Sequence, residues 1–185
     1  MRLLRSFSKI VLVTLVWSIA VVAQTGSDKQ FNKEGLTFDY PTGWSLQDDS
    51  DKDGQNLTFS RTDVDVQINV FVHRGRITSE KMPDARKNIV DPYINARMKQ
   101  FTDMGGKPQR GPDQSQIGGV AAEGVVITAN LGEPGAAKIY WALIGSRVVL
   151  LTILGPDKQL KQYGNVWDLI RNSIKIEDPK ATPKP

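Results

Sequence analysis

The sequence predicts an α+β fold, a single antiparallel β-sheet of about six to seven strands flanked by helices. Three stretches carry that expectation. Val64, Val66, Ile68, Val70 and Val72 alternate without a break against Asp65, Gln67, Asn69, Phe71 and His73, the two-residue period of a strand with one face on a core. Val148–Leu154 is apolar on both faces apart from Thr152, which marks a central strand covered by helices on both sides. Leu160, Tyr163, Trp167, Ile170 and Ile174 recur at three- and four-residue steps, a helix with an aromatic inner face.

The chain opens with Arg2, Arg5 and Lys9 and no acid, then the apolar run Ile10–Ala23, with Val21-Val22-Ala23 offering small side chains before Gln24. This order is that of a secretory signal peptide over residues 1–23. A retained membrane anchor is the competing reading, but the run is shorter than the roughly 20 residues a spanning helix needs. Cleavage is therefore expected, with no stable membrane span afterwards and a periplasmic or extracellular destination. The whole chain holds 24 Lys and Arg against 20 Asp and Glu, yet three of the bases lie in the signal, so the remainder carries 21 against 20. Nucleic-acid binding thereby loses its compositional support. The chain has no Cys, hence no disulfide and no site for a lipoprotein anchor. It must be held by its core, which a domain of roughly 150 residues can supply by burying about 70% of its unfolded surface.

Residues 24–30 are polar and read as a flexible leader, with one domain expected over 31–177. Leu36, Phe38 and Tyr40 alternate as a strand, Pro41-Thr42-Gly43 turns, and Trp44-Ser45-Leu46 resumes the alternation. Asp48–Gly54 is an acidic loop. Gln55–Arg61 alternates through Leu57 and Phe59, and Thr62-Asp63 turns into the long strand beginning at Val64. Asp91-Pro92 provides an N-cap and first-turn pair for a helix through Ile94, Met98 and Phe101, stopped by Gly105-Gly106. Ser79–Val90 extends that helix upstream, with Pro92 as a kink. Lys107–Ile117, with Pro108 and Pro112, reads as a polar connection. Val120–Asn130, Lys138–Ile144 and Arg147–Leu154 are strands, the last two joined as a hairpin by Gly145-Ser146. Gly155-Pro156-Asp157 stops the last strand, the closing helix follows, and residues 178–185 form a Pro- and Lys-rich disordered tail.

A strand ending in Tyr40-Pro41-Thr42-Gly43-Trp44, two meander strands, a helix, a three-strand meander and a closing helix running into Asn172-Ser173-Ile174-Lys175-Ile176 together resemble the PsbP-like domain. That family is named for an extrinsic subunit of the photosynthetic oxygen-evolving complex. Its fold is shared by a Ran-binding nuclear-import factor and by many exported bacterial proteins. The resemblance spans Phe31–Ile176 and implies an α/β/α sandwich, with a binding role and no catalysis. It does not imply photosynthesis.

Candidate chemistry is sparse. Asp49, Asp51 and Asp53, followed by Gly54, fit the opening D-x-D-x-D-G of a calcium loop, where alternate carboxylates converge on a hard cation. The closing bidentate Glu of that pattern is replaced by Ser60, and a strand follows in place of a helix. Calcium binding would then be weak, and Asp-Gly also makes a hairpin turn without metal. His73 is the only histidine, so any His-based hydrolase must use it. No G-x-S-x-G elbow surrounds any Ser, and the S-x-x-K spacing at Ser6–Lys9 lies in the signal. His73 is expected at a strand end, bonded to a loop. One His and no Cys argue against zinc. Gly105-Gly106 and Gly118-Gly119 lack the Lys-Ser/Thr pair of a phosphate loop and read as a helix stop and a strand entry. Asn56-Leu57-Thr58 is an incidental glycosylation triplet inside a strand. Trp44 is expected to cover the end of the core, the alternative being the wall of a shallow cleft. The sequence thus points to an exported, non-catalytic binding or accessory domain of the bacterial envelope, with a protein or small-molecule partner and no cofactor. The alternatives are a small secreted hydrolase using His73 and a weak calcium module.

Overall fold

Ten strands and four α-helices are built from residues 28–177, the part of the chain that the computed structural model describes. The expected signal 1–23, residues 24–27 and the expected tail 178–185 lie outside the described residues. In chain order the strands before the helices are β1 (Lys29–Lys33), β2 (Leu36–Tyr40), β3 (Ser45–Asp48), β4 (Gly54–Arg61) and β5 (Val64–His73). A helical path follows, from a 3₁₀ turn (Ser79–Lys81) through α1 (Met82–Ala85) and a π-type turn (Arg86–Val90) into α2 (Asp91–Asp103). Then come β6 (Gln109–Ile117), β7 (Val120–Asn130), β8 (Pro134–Ile144), β9 (Arg147–Pro156), α3 (Asp157–Gln162), α4 (Gly164–Ser173) and β10 (Lys175–Ile176). No described helix is long and apolar enough to cross a membrane.

The α+β class and the antiparallel pairing are as expected, but the single sheet is not. Seven strands pair in the order β3-β4-β5-β9-β8-β7-β6, while β1, β2 and β10 form a separate three-stranded sheet. The turn Pro41–Trp44 carries the chain from one sheet to the other, so β2 and β3, adjacent in sequence, share no hydrogen bonds. β9 lies at the centre of the large sheet, as its apolar pattern requires. Val149, Leu151 and Ile153 meet the small sheet and α4 on one face, and Val148 and Leu150 meet α1 and α2 on the other. Trp44 is buried in the first of these cores, edge-on to Tyr163 at 5.7 Å, so it belongs to the core and not to a cleft wall.

Three further expectations need correction. β1 begins at Lys29, paired with Tyr40, so the end of the stretch 24–30 is strand and not leader. Lys107–Ile117 is not a connection, because residues 109–117 pair with β7 along their whole length as an edge strand. The inward positions of β6 are Gly111, Asp113, Ser115 and Ile117, of which only the last is a large apolar residue, so there is no apolar alternation to read. Pro112 is tolerated for a geometric reason. The Gly118-Gly119 loop makes Ile117↔Val120 the closing hydrogen-bonded pair, and the alternation then leaves Pro112↔Val125 non-hydrogen-bonded. The missing N–H faces the open edge, where it also blunts pairing with another chain.

The closing helix is two helices. Tyr163 (φ −102°, ψ 20°) ends α3 and accepts the first hydrogen bonds of α4 from Val166 and Trp167. Gly164 has low helix propensity, and the break lets Tyr163 meet Trp44. The apolar face survives the break, since Leu160, Tyr163, Trp167, Ile170 and Ile174 all pack on one core. Upstream, Pro92 has no N–H to give, and the wide turn before it, with Asp91 N–H donating to Arg86 O, accommodates its ring. Gly105 (φ +86°) donates to Thr102 O and Gly106 to Phe101 O, a Schellman stop for α2 at the expected place.

Candidate functional site

Two of the three candidate carboxylates, Asp49 and Asp51, are bonded to neighbouring groups of the chain. Asp51 Oδ1 accepts from Asp53 N–H (2.8 Å) and Gly54 N–H (3.0 Å), and these two donors hold its carboxyl below the usual carboxylate range. Asp49 accepts from the Gln47 amide at 2.9 and 3.1 Å. The Asp53 side chain is exposed, and its carbonyl accepts from Arg74 N–H. Neighbouring Asp48 pairs with Lys33 Nζ at 2.8 Å and is held at about 2 by that bond and by Ser50. Among the described residues no group of three or more His, Cys, Asp or Glu is placed to hold a metal ion. Gly54 is required for another reason, since a Cβ there would collide with the ring of Phe71 on β5. Millimolar Ca²⁺ is therefore expected to leave Tm unchanged. A rise of about 3 °C or more, abolished by Asp51→Asn, would instead establish a site, because a ligand bound only by the folded state stabilises it by mass action.

His73 ends β5, where its Nδ1 accepts from Gly75 N–H at 3.1 Å, the local strand-end bond expected for it. Among the described residues no Asp or Glu pairs with it.

Two polar clusters escaped the sequence. Beneath α2, the Tyr93 hydroxyl donates to Asn69 Oδ1 (3.2 Å), shares a bond with Thr152 Oγ1 (3.0 Å) and accepts from Arg97 (3.2 Å). Asn69 also donates to Asn56 Oδ1, Leu57 O and Thr58 Oγ1, so the buried side chains of Asn69 and Thr152 both have partners. On the opposite face Tyr140 donates to Asp113 Oδ2 at 2.6 Å, and burial followed by that bond pushes its phenol above the ordinary tyrosine range. Arg171 reaches Ser115 and Asp168 from α4. Both clusters join residues distant in sequence, and the only local trace was Thr152 in an apolar run.

An apolar cleft of about 300 Å³ lies at the end of α2. Phe101 of α2 and Met104 just after it form one wall, Ala129 and Leu131 at the end of β7 another, and Leu154 with Pro156 of β9 the floor. Met104 is 60% exposed at the mouth, the most exposed large apolar side chain among the described residues. Asp65 and Glu133 stand at the rim, and no Lys, Arg or His lines the cleft. Phe101 was legible as a helix-face residue. The other walls come from strand ends whose sequence carries no site signal. Such a cleft, mostly apolar with a few polar groups, is the usual form of a binding site.

Neither a family model nor a curated protein matches the sequence. Among solved structures the fold is similar to cyanobacterial PsbP (CyanoP) from Synechocystis sp. PCC 6803, with TM-score 0.53 and 13% identity over 84% of this chain and 96% of that one. It is similar with TM-score 0.53 and 12% identity, over 85% of this chain, to a protein from Bacteroides thetaiotaomicron VPI-5482. The chain spans about half the length of that protein, 51% of which is covered. A looser likeness is to the Saccharomyces cerevisiae Ran-binding protein Mog1p, with TM-score 0.41 and 10% identity over 78% of this chain and 86% of that one. The likeness to CyanoP makes the fold PsbP-like, as the order of elements implied.

Proposed function

We propose that this PsbP-like chain is an exported, non-catalytic binding or accessory domain of the bacterial cell envelope. The observation that carries the binding role is the open apolar cleft at the end of α2, with exposed Met104 at its mouth. Exposed apolar surface of this kind costs free energy in water unless a partner covers it. Export is supported by the basic, apolar, small-residue order of residues 1–23, and the balanced charge of the rest fits a recognition surface that is not nucleic-acid directed.

One experiment tests both parts. The full chain, tagged at its C-terminus, is expressed in a bacterial host, crosslinked and fractionated. The expected product lies in the envelope fraction, with a mass that begins at Gln24, and is crosslinked to a partner. Met104→Gln keeps the side-chain length but removes apolar surface, so it should weaken that capture about five- to tenfold without lowering Tm. A chain that stays in the cytoplasm at full length would overturn export, and capture unaffected by the substitution would overturn the cleft as the binding surface.

A further inference from the structure

We infer that the cleft at the end of α2 receives one bulky apolar side chain of a partner protein whose neighbouring residue is Lys or Arg. This rests on the binding role proposed above and adds the chemistry of the occupant. The size is the first argument. A cavity of about 300 Å³ stands at the lower bound for small-molecule pockets and is open on one side, which suits a single side chain presented by a polypeptide. Met104 at the mouth is unbranched and polarisable, able to repack around whichever side chain enters.

Charge is the second argument. Two carboxylates, Asp65 and Glu133, stand on the rim with no cation in the lining. Among the described residues Glu133 has no side-chain partner, and Asp65 has only a neutral one, the Gln159 amide at 3.1 Å. Phe101 and Met104 sit at the C-terminal end of the 13-residue α2, where the helix dipole is negative. Asp103 adds little to that charge, because Lys99 neutralises it at 2.6 Å. The adjoining depression holds Lys107 and Asp157, one charge of each sign. The field at the mouth therefore favours a cation placed beside an apolar group. Residues 24–27 and 178–185 contain no bulky apolar side chain.

Amide chemical-shift titration of the chain from Gln24 onward tests the inference with three capped tetrapeptides, Gly-Phe-Lys-Gly, Gly-Phe-Gln-Gly and Gly-Gly-Lys-Gly. The Phe-Lys peptide should perturb the amides of Phe101, Met104, Leu131 and Gly155. Replacing its Lys by Gln should weaken binding about three- to tenfold, a difference that shrinks as salt rises. The Gly-Lys peptide should leave those amides in place. In the double variant Asp65→Asn, Glu133→Gln, both Phe peptides should bind alike. Equal binding of both Phe peptides to the unmodified chain would overturn the charge inference while leaving the cleft a binding site. Cleft shifts with none of the three would overturn the peptide occupant, while a partner still captured in the crosslinking experiment and lost on Met104→Gln would keep the broader role.

Discussion

Phe38→Ala is expected to destabilise the fold by about 3–5 kcal/mol, the usual loss for a buried Phe, and to lower Tm by roughly 6–20 °C at this domain size. Phe38 is fully buried on β2, stacked on Phe31 at 5.0 Å and edge-on to Phe59 at 5.5 Å. Phe31 belongs to the small sheet and Phe59 to the large one, so the ring fills the seam between them. No strand is shared between the two sheets, and β10 adds only Lys175↔Thr37 and Ile176↔Leu36 to the small one. Both walls of the seam are sheets, which collapse poorly around a cavity. Thermal and denaturant unfolding of the variant measures the effect. A loss below about 1 kcal/mol would mean that the small sheet does not depend on this packing.

Gly118→Ala is expected to cost about 3–4 kcal/mol, and Gly119→Ala only about 1–2 kcal/mol, the ordinary penalty for a left-handed residue with a Cβ. The two neighbours have similar backbones, with φ of +57° and +81°. They differ in what surrounds them. A Cβ on Gly119 meets nothing within 4 Å, whereas one on Gly118 runs into the carbonyl oxygen of Ile174. Gly118 N–H also donates to Arg171 O at 2.9 Å, docking the β6–β7 turn onto the end of α4. The clash is with backbone, so α4 must shift away from its core. Equal losses for the two variants in denaturant unfolding would show that the turn and α4 are not tightly joined.

The twin glycines mark the boundary between what the chain spells out locally and what it does not. Alternation at β2, β4, β5, β7 and β8, the two-faced apolar run of β9, the glycine stop of α2 and the aromatic face of α3 and α4 were legible, because each periodicity records which side of an element leaves water. Periodicity names a face, not the surface that covers it. The sequence therefore determined α+β content, the central place of Val148–Leu154 and the local bond of His73. Only the tertiary structure decided that β2 and β3 belong to different sheets, and that β6 is a strand whose polar inner face meets the Tyr140 hydroxyl and Arg171. It also showed the Asp51 carboxylate turned to the N–H groups of its own loop and that of Asp49 to the Gln47 amide on β3. The cleft was invisible for the same reason. Its walls come from β5, α2, β7, β8 and β9, and a cavity depends on which distant side chains pack together, a non-local quantity that no run of neighbouring residues encodes.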